Sequence, residues 1–246
     1  MSEKFQTEFD DPPEVLSIVD PPPLPPPTPY YTVVLIWAIG AVAITQLVTG
    51  LEASILAAGF VKLVFIRDHE YWRILTGATT HGSVLHVLMN CYAFYSFGRI
   101  FEMLANRAHL AIVFLLSALG GGVLSLIFLP DGVSVGASGG IVGLIGYLVI
   151  YAFRRRQFVS AEFRKSLLIN IGFILIFGLV LYTVIDNFGH IGGLVTGAVY
   201  GLLQIPTDEH SDPREAGPTV EGVGVAAVGI YIAGCIFSIL LVLQIV

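Results

Sequence analysis

Val135-Gly136-Ala137-Ser138-Gly139-Gly140-Ile141-Val142-Gly143-Leu144-Ile145-Gly146 opens an apolar run that continues to Phe153. It is glycine-rich, nearly uncharged and short for a membrane span, which needs about 20 apolar residues. A short span of small residues anchors poorly against lipid. It fits the centre of a bundle, with one end stopping in a water-filled cavity below the membrane surface. A second short run, 189–205, carries Gly189, Gly193, Gly197 and Gly201, one every fourth residue. Such a stripe lets another helix backbone approach closely.

Working outward, the whole chain reads as polytopic. Of its 246 residues 55% are hydrophobic and 12% charged, against about 25% charged in an ordinary soluble domain. Mean hydropathy is +0.83. Seven stretches are candidate spans: 31–50, 82–103, 108–129, 138–153, 166–185, 189–205 and 222–245. The expected fold is all-α, a six-helix bundle over 30–205, a linker over 206–220 and one additional C-terminal membrane helix over 221–246. Residues 1–29 are acidic and proline-rich and read as a disordered tail, with docking of a proline-binding module as the alternative. They do not read as a signal peptide. The segment 51–80 mixes apolar residues with Lys62, Arg67, Asp68 and Glu70, and reads as an amphipathic piece in the outer-leaflet interface.

Lys and Arg set the orientation. An N-terminus inside puts nine of them on the cytoplasmic side and leaves Lys62, Arg67 and Arg73 outside. The expectation is a multi-pass protein of a cell membrane, with the N-terminus cytoplasmic and the C-terminus opposite. That choice brings Ser138 and His190 to the same side. The net charge of −6 comes mostly from the soluble ends, and no basic patch suggests nucleic acid. Cys91 and Cys235 lie in apolar runs and form neither a disulfide framework nor a metal motif. No cofactor is expected.

Polar groups in such a chain are costly without partners. Ser138 opens one span, His190 opens another, and His81, His86 and Asn90 surround the start of a third. A serine hydroxyl needs a base to become a nucleophile, and His190 is the candidate. At a helix start the Ser138 N–H is unpaired and the dipole favours negative charge. His86 and Asn90, four residues apart, share one helix face and supply further donors to an oxyanion. Gly136-Ala137-Ser138-Gly139-Gly140 also matches the nucleophile elbow of soluble hydrolases, with Asp186 and His190 following in order, but that motif needs a preceding strand and a sheet. Nothing matches a zinc signature. A transporter is the remaining class, and the absence of Asp and Glu from mid-span speaks against a proton relay.

These residues resemble the rhomboid family of intramembrane serine proteases. Gly136-Ala137-Ser138-Gly139 resembles the family's nucleophile motif, and His190 in Asp186-Asn187-Phe188-Gly189-His190-Ile191-Gly192-Gly193 its catalytic base. His81, His86 and Asn90 match the H-x4-H-x3-N pattern of its second helix. Trp72-Arg73 resembles the W-R pair of its first loop, and Gly98 to Glu102 its G-x3-E. The likeness covers residues 31–205. It implies a Ser138–His190 dyad without an acidic third member, an oxyanion site at His86 and Asn90, and a supporting role for His81, Gly136 and Gly139. It further implies transmembrane protein substrates within the lipid bilayer, admitted past 183–189 and the outer half of the fifth span. Inactive relatives, which bind or escort membrane clients, are the alternative. Val142 stands where many relatives carry an aromatic residue stacked on the catalytic histidine.

Overall fold

The computed structural model describes residues 28–208 and 210–246. The expected N-terminal tail lies almost wholly outside the described residues. Among those described, the chain forms ten α-helices and one two-residue ladder. A helix stands at each of the seven expected positions: α1 (Tyr30–Thr49), α5 (Val84–Leu104), α6 (Arg107–Phe128), α7 (Ser138–Arg154), α8 (Ala161–Val180), α9 (Asn187–Gln204) and α10 (Pro218–Val242). Between α1 and α5 lie α2 (Leu51–Ala58), β1 (Phe60–Val61), α3 (Lys62–Arg67) and α4 (Arg73–Thr76).

Local chemistry sets the helix starts. Ser83, Asn106, Ser160 and Asp186 each accept a backbone N–H from the first turn of α5, α6, α8 and α9. This satisfies donors that the helix itself leaves free. Ser160 places the start of α8 five residues ahead of the expected 166. Gly217-Pro218 begins α10, with proline where no N–H is needed.

Helices α1, α6, α8 and α10 are long and apolar enough to cross a membrane, and α7 is a shorter apolar helix. Helices α5 and α9 are of similar length but carry His86, Asn90, Asn187, His190 and several glycines, and fall short of that hydropathy.

Helix α7 is the centre. Ile141, Val142, Leu144, Ile145, Tyr147 and Leu148 are all buried, so it is covered on every side. Helix α8 is the opposite case, with only Leu167 and Gly178 buried. Helices α7 and α9 meet backbone to backbone. A Cβ on Gly193 would overlap the Gly139 carbonyl, and one on Gly197 would overlap that of Gly143. The offset along the chain is the same at both contacts, so the two helices run parallel and start at one end of the molecule. Helix α6 packs on both α7 and α9 and runs antiparallel to α9. A Cβ on Gly121 would stand 2.5 Å from the Gly189 oxygen, and one on Gly192 would stand 2.7 Å from the Gly120 oxygen.

The 51–80 segment is more folded into the protein than an interfacial helix would be. Lys62 and Arg73, which the charge count assigns to the outer side of the membrane, are both buried. Arg73 donates to the Leu56 and Gly59 carbonyls at 3.0 and 2.9 Å and to Glu70 at 2.6 Å, fastening α4 to the end of α2. Its guanidinium also lies over the Trp72 ring. Strand β1 pairs antiparallel with β2 (Val133–Ser134), Phe60 opposite Ser134, a short ladder that the apolar pattern did not announce. Glu102 accepts from both the backbone N–H and the hydroxyl of Thr32, at 2.8 and 2.7 Å. Gly98 leaves room for that threonine, so the G-x3-E stretch ties α5 to the first turn of α1. Helix α10 packs on this assembly through Tyr231, whose hydroxyl donates to the Ala78 carbonyl at 2.9 Å, and through the Ser238–Thr79 hydroxyl pair.

The glycine contacts predict a sharp contrast between substitutions. Gly197→Leu should destabilise the detergent-solubilised protein by about 3 kcal/mol or more, because the clash is with backbone and cannot be relieved by a rotamer change. Gly172→Ala, on α8 with open space around it, should leave the thermal midpoint unchanged or slightly higher. Thermal unfolding of both variants checks this.

Candidate active site

The approach of α7 to α9 sets the main contact of the site. Ser138 is the first residue of α7 and His190 lies in the first turn of α9. Their side chains meet with Ser138 Oγ 2.9 Å from His190 Nε2. With Nε2 accepting, the ring proton sits on Nδ1, which is buried and has no hydrogen-bond partner. No carboxylate therefore bonds to this imidazole. Val142 is buried within α7 and offers no ring to it. Phe188, the aromatic residue nearest in sequence, stacks on Phe128 instead, at 4.6 Å.

Gly136 brings the remaining groups to Ser138. Its φ is +121°, a backbone conformation that side chains rarely adopt. A Cβ there would stand 2.8 Å from the His86 ring and 3.3 Å from the Asn90 amide nitrogen. Both side chains thus lie against the backbone two residues ahead of Ser138. The Gly136 N–H donates to the Gly77 carbonyl at 2.9 Å, which fixes this turn to the 76–80 segment. Asn90 Nδ2 lies 2.9 Å from His81 Nε2. An amide nitrogen carries two protons, so one donor remains for a ligand. His81 is held in turn by a reciprocal pair, its N–H and C=O bonded to the Gln46 side chain at 2.9 and 3.2 Å. The His81 and His86 rings meet edge to face at 5.1 Å.

All seven sequence-predicted positions therefore converge. Ser138 and His190 are in contact, His86 and Asn90 flank Gly136, His81 orients Asn90, and Gly139 is where α9 closes on α7. A cavity of about 50 Å³ opens beside them, lined by Ser138, His190, Gly136, Ser134, Asp186 and neighbours. That is room for about three or four waters. Among the described residues no three His, Cys, Asp or Glu side chains converge as a metal site would require.

Sequence reading missed Gln46, Lys62, Ser125 and Ser134. Lys62 had a signal, a lone ammonium amid eight apolar neighbours. The two serines and the glutamine had none, because each acts through a partner at least 35 residues away.

A model of the Rhomboid domain matches residues 68–207, more than half of the chain. The chain belongs to the rhomboid family. Similar curated proteins include the RHOMBOID-like protein 6, mitochondrial, of Arabidopsis thaliana, 32% identical over 140 residues, which are 56% of this chain and 45% of that protein. Rhomboid protease GluP of Bacillus subtilis is 31% identical over 144 residues, 58% of this chain and 28% of the relative. Inactive rhomboid protein 1 of Bos taurus is 32% identical over 139 residues, 56% of this chain and 16% of the relative. The match spans less than half the length of each of these relatives. Family membership and the apolar helices together make this an integral, multi-pass membrane protein. The rhomboid match ends ahead of α10.

Gly136→Ala places a methyl group against the His86 ring in a backbone conformation unsuited to it. On the expectation that Ser138 is a nucleophile and that His86 and Asn90 serve its oxyanion, Ser138 of this variant should react with a fluorophosphonate at least about 100-fold more slowly. The rate of covalent labelling in detergent reads this directly.

Proposed function

We propose that this rhomboid-family protein is an intramembrane serine endopeptidase that cleaves transmembrane segments of membrane proteins through a Ser138–His190 dyad. The observation that carries the proposal is the 2.9 Å contact between Ser138 Oγ and His190 Nε2, at the edge of a cavity and two residues from Gly136, against which His86 and Asn90 lie. The likeness to a relative named a rhomboid protease agrees with it.

The chemistry runs as follows. Ser138 Oγ attacks the scissile carbonyl carbon while His190 Nε2 takes the hydroxyl proton. The new C–O bond forms as the carbonyl π electrons move onto oxygen. That oxyanion accepts hydrogen bonds from the Ser138 N–H, His86 and the free Asn90 N–H, worth roughly 3 kcal/mol for a well-placed donor. Collapse breaks the C–N bond, and His190 returns its proton to the leaving amine. A water from the cavity then hydrolyses the acyl-enzyme by the same proton path. Asp186 is not a third member of the reacting set, since its oxygens are bonded elsewhere and Nδ1 of His190 stands alone.

The proposal extends to the layout. Seven membrane crossings, an N-terminus on the cytoplasmic side and a C-terminus opposite follow from nine Lys and Arg residues on one side against three on the other. Residues 30–205 form the catalytic core, 206–220 a linker and 221–246 the seventh crossing. The partners are transmembrane protein substrates in a lipid bilayer. The second reading is a non-enzymatic protein that binds or escorts membrane clients, suggested by the equally similar Inactive rhomboid protein 1. The serine–histidine contact favours the enzyme.

Cleavage of a model single-span substrate in detergent separates the two. The unmodified chain should cleave it, and Ser138→Ala or His190→Ala should abolish cleavage while the protein remains folded. Equal cleavage by these variants would exclude the dyad. A pH profile adds a second check. The imidazole accepts a proton only when neutral, so kcat should fall as pH drops through its pKa and level off above it.

A further inference from the structure

Asp186 belongs to no step above, yet it lines the site cavity and its carboxylate is fully engaged. Oδ1 accepts the Gly189 N–H at 2.9 Å, capping α9 one residue ahead of His190. Oδ2 accepts the Ser134 hydroxyl at 2.6 Å, four residues ahead of Ser138. It also accepts the Ser125 hydroxyl from α6. Ser125 in turn accepts from the ammonium of Lys62, 2.6 Å away, and that ammonium lies 4.0 Å from Oδ2. Lys62 is fully buried. A buried ammonium is costly unless it is paired and hydrogen-bonded. A helix cap alone requires one carboxylate oxygen. The second oxygen is spent on the strand that leads into the nucleophile.

We propose that Asp186 is a positioning residue. Its carboxylate clamps the Ser134–Ser138 approach to the first turn of α9, holding Ser138 and His190 in register, and Lys62 supplies the countercharge from the 51–80 segment. This inference rests on the protease reading. The clamp acts on geometry and not on proton transfer, because it reaches the backbone and strand on either side of the dyad without touching either reacting group. A displacement of about 1 Å between reacting groups is enough to cost roughly 100-fold in rate.

The test uses the full chain in detergent, with kcat and KM on a model transmembrane substrate, the fluorophosphonate labelling rate and thermal midpoints. Ser134→Ala is the deciding variant, since it leaves the α9 cap and the dyad intact and removes only the bridge. It should lower kcat and the labelling rate about 10-fold or more, with KM and the thermal midpoint little changed. Asp186→Asn should lose more, and Lys62→Met should lose activity comparably. The double variant Lys62→Met with Asp186→Asn, which removes both buried charges, should be more active than the product of the single losses requires. Wild-type kcat and labelling in Ser134→Ala would overturn the clamp, even if Asp186→Asn fails to fold. Strictly additive losses in the double variant would overturn the role given to Lys62. Absence of Ser138-dependent labelling in the unmodified chain would instead overturn the protease reading, and the clamp with it.

Discussion

Helices α7 and α9 touch through their backbones at Gly139–Gly193 and Gly143–Gly197, and the candidate site exists because of that contact. In a bilayer no hydrophobic force pulls helices together, so close packing of small residues must supply much of the association. A side chain at Gly193 or Gly197 would overlap the facing backbone and hold the helices apart. With the backbones in contact and the helices parallel, the first turns of both arrive together. Ser138 and His190 then need no loop to bring them within 2.9 Å. Helix α6 packs on α9 through Gly120, Gly121 and Gly192 and on α7 through Phe114 and Ser117, so His190 rides on a helix held by two neighbours that also hold each other.

The polar groups of the bundle are costly to bury and almost all are accounted for in pairs. Glu102 caps α1 through Thr32, Gln46 brackets His81, and Arg73 ties together the pieces of the first loop. Asp186 gathers a backbone N–H, two hydroxyls and, at longer range, an ammonium. Among the described residues six buried side-chain atoms lack partners, and two of them, His190 Nδ1 and His81 Nδ1, belong to histidines of the candidate site. A chain under pressure to satisfy buried polar atoms leaves few of them free.

Much of the fold was legible because membrane solvation leaves strong marks on sequence. The seven helices stand where apolar runs predicted them, and the four-residue glycine spacing in 189–201 announced a face that would be approached closely. The site was legible for a related reason. Ser138, His190, His86 and Asn90 stand out in an apolar chain because lipid tolerates so few such groups. The 51–80 segment was harder. Its broken pattern correctly said that no single span forms there, but gave no sign that Lys62 and Arg73 are buried. That outcome depends on acceptors at Ser125, Gly59 and Leu56, which no local pattern reveals. Helix α8 likewise starts at Ala161, ahead of the apolar run, where Ser160 caps it.

By itself the sequence determined the all-α membrane class, the order of the helices, the positions where backbones approach and the residues with chemistry to offer. These are properties of local composition and periodicity, which solvation by lipid acts on directly. Only the tertiary structure decided that Ser138 and His190 share a hydrogen bond, that His86 and Asn90 meet at Gly136, that α10 fastens to the 76–80 segment, and that Asp186 faces Ser134 and Lys62 and leaves the imidazole alone. Those are relations between residues far apart along the chain. They are set by the rigid-body packing of helices whose individual sequences do not encode which partner each will meet.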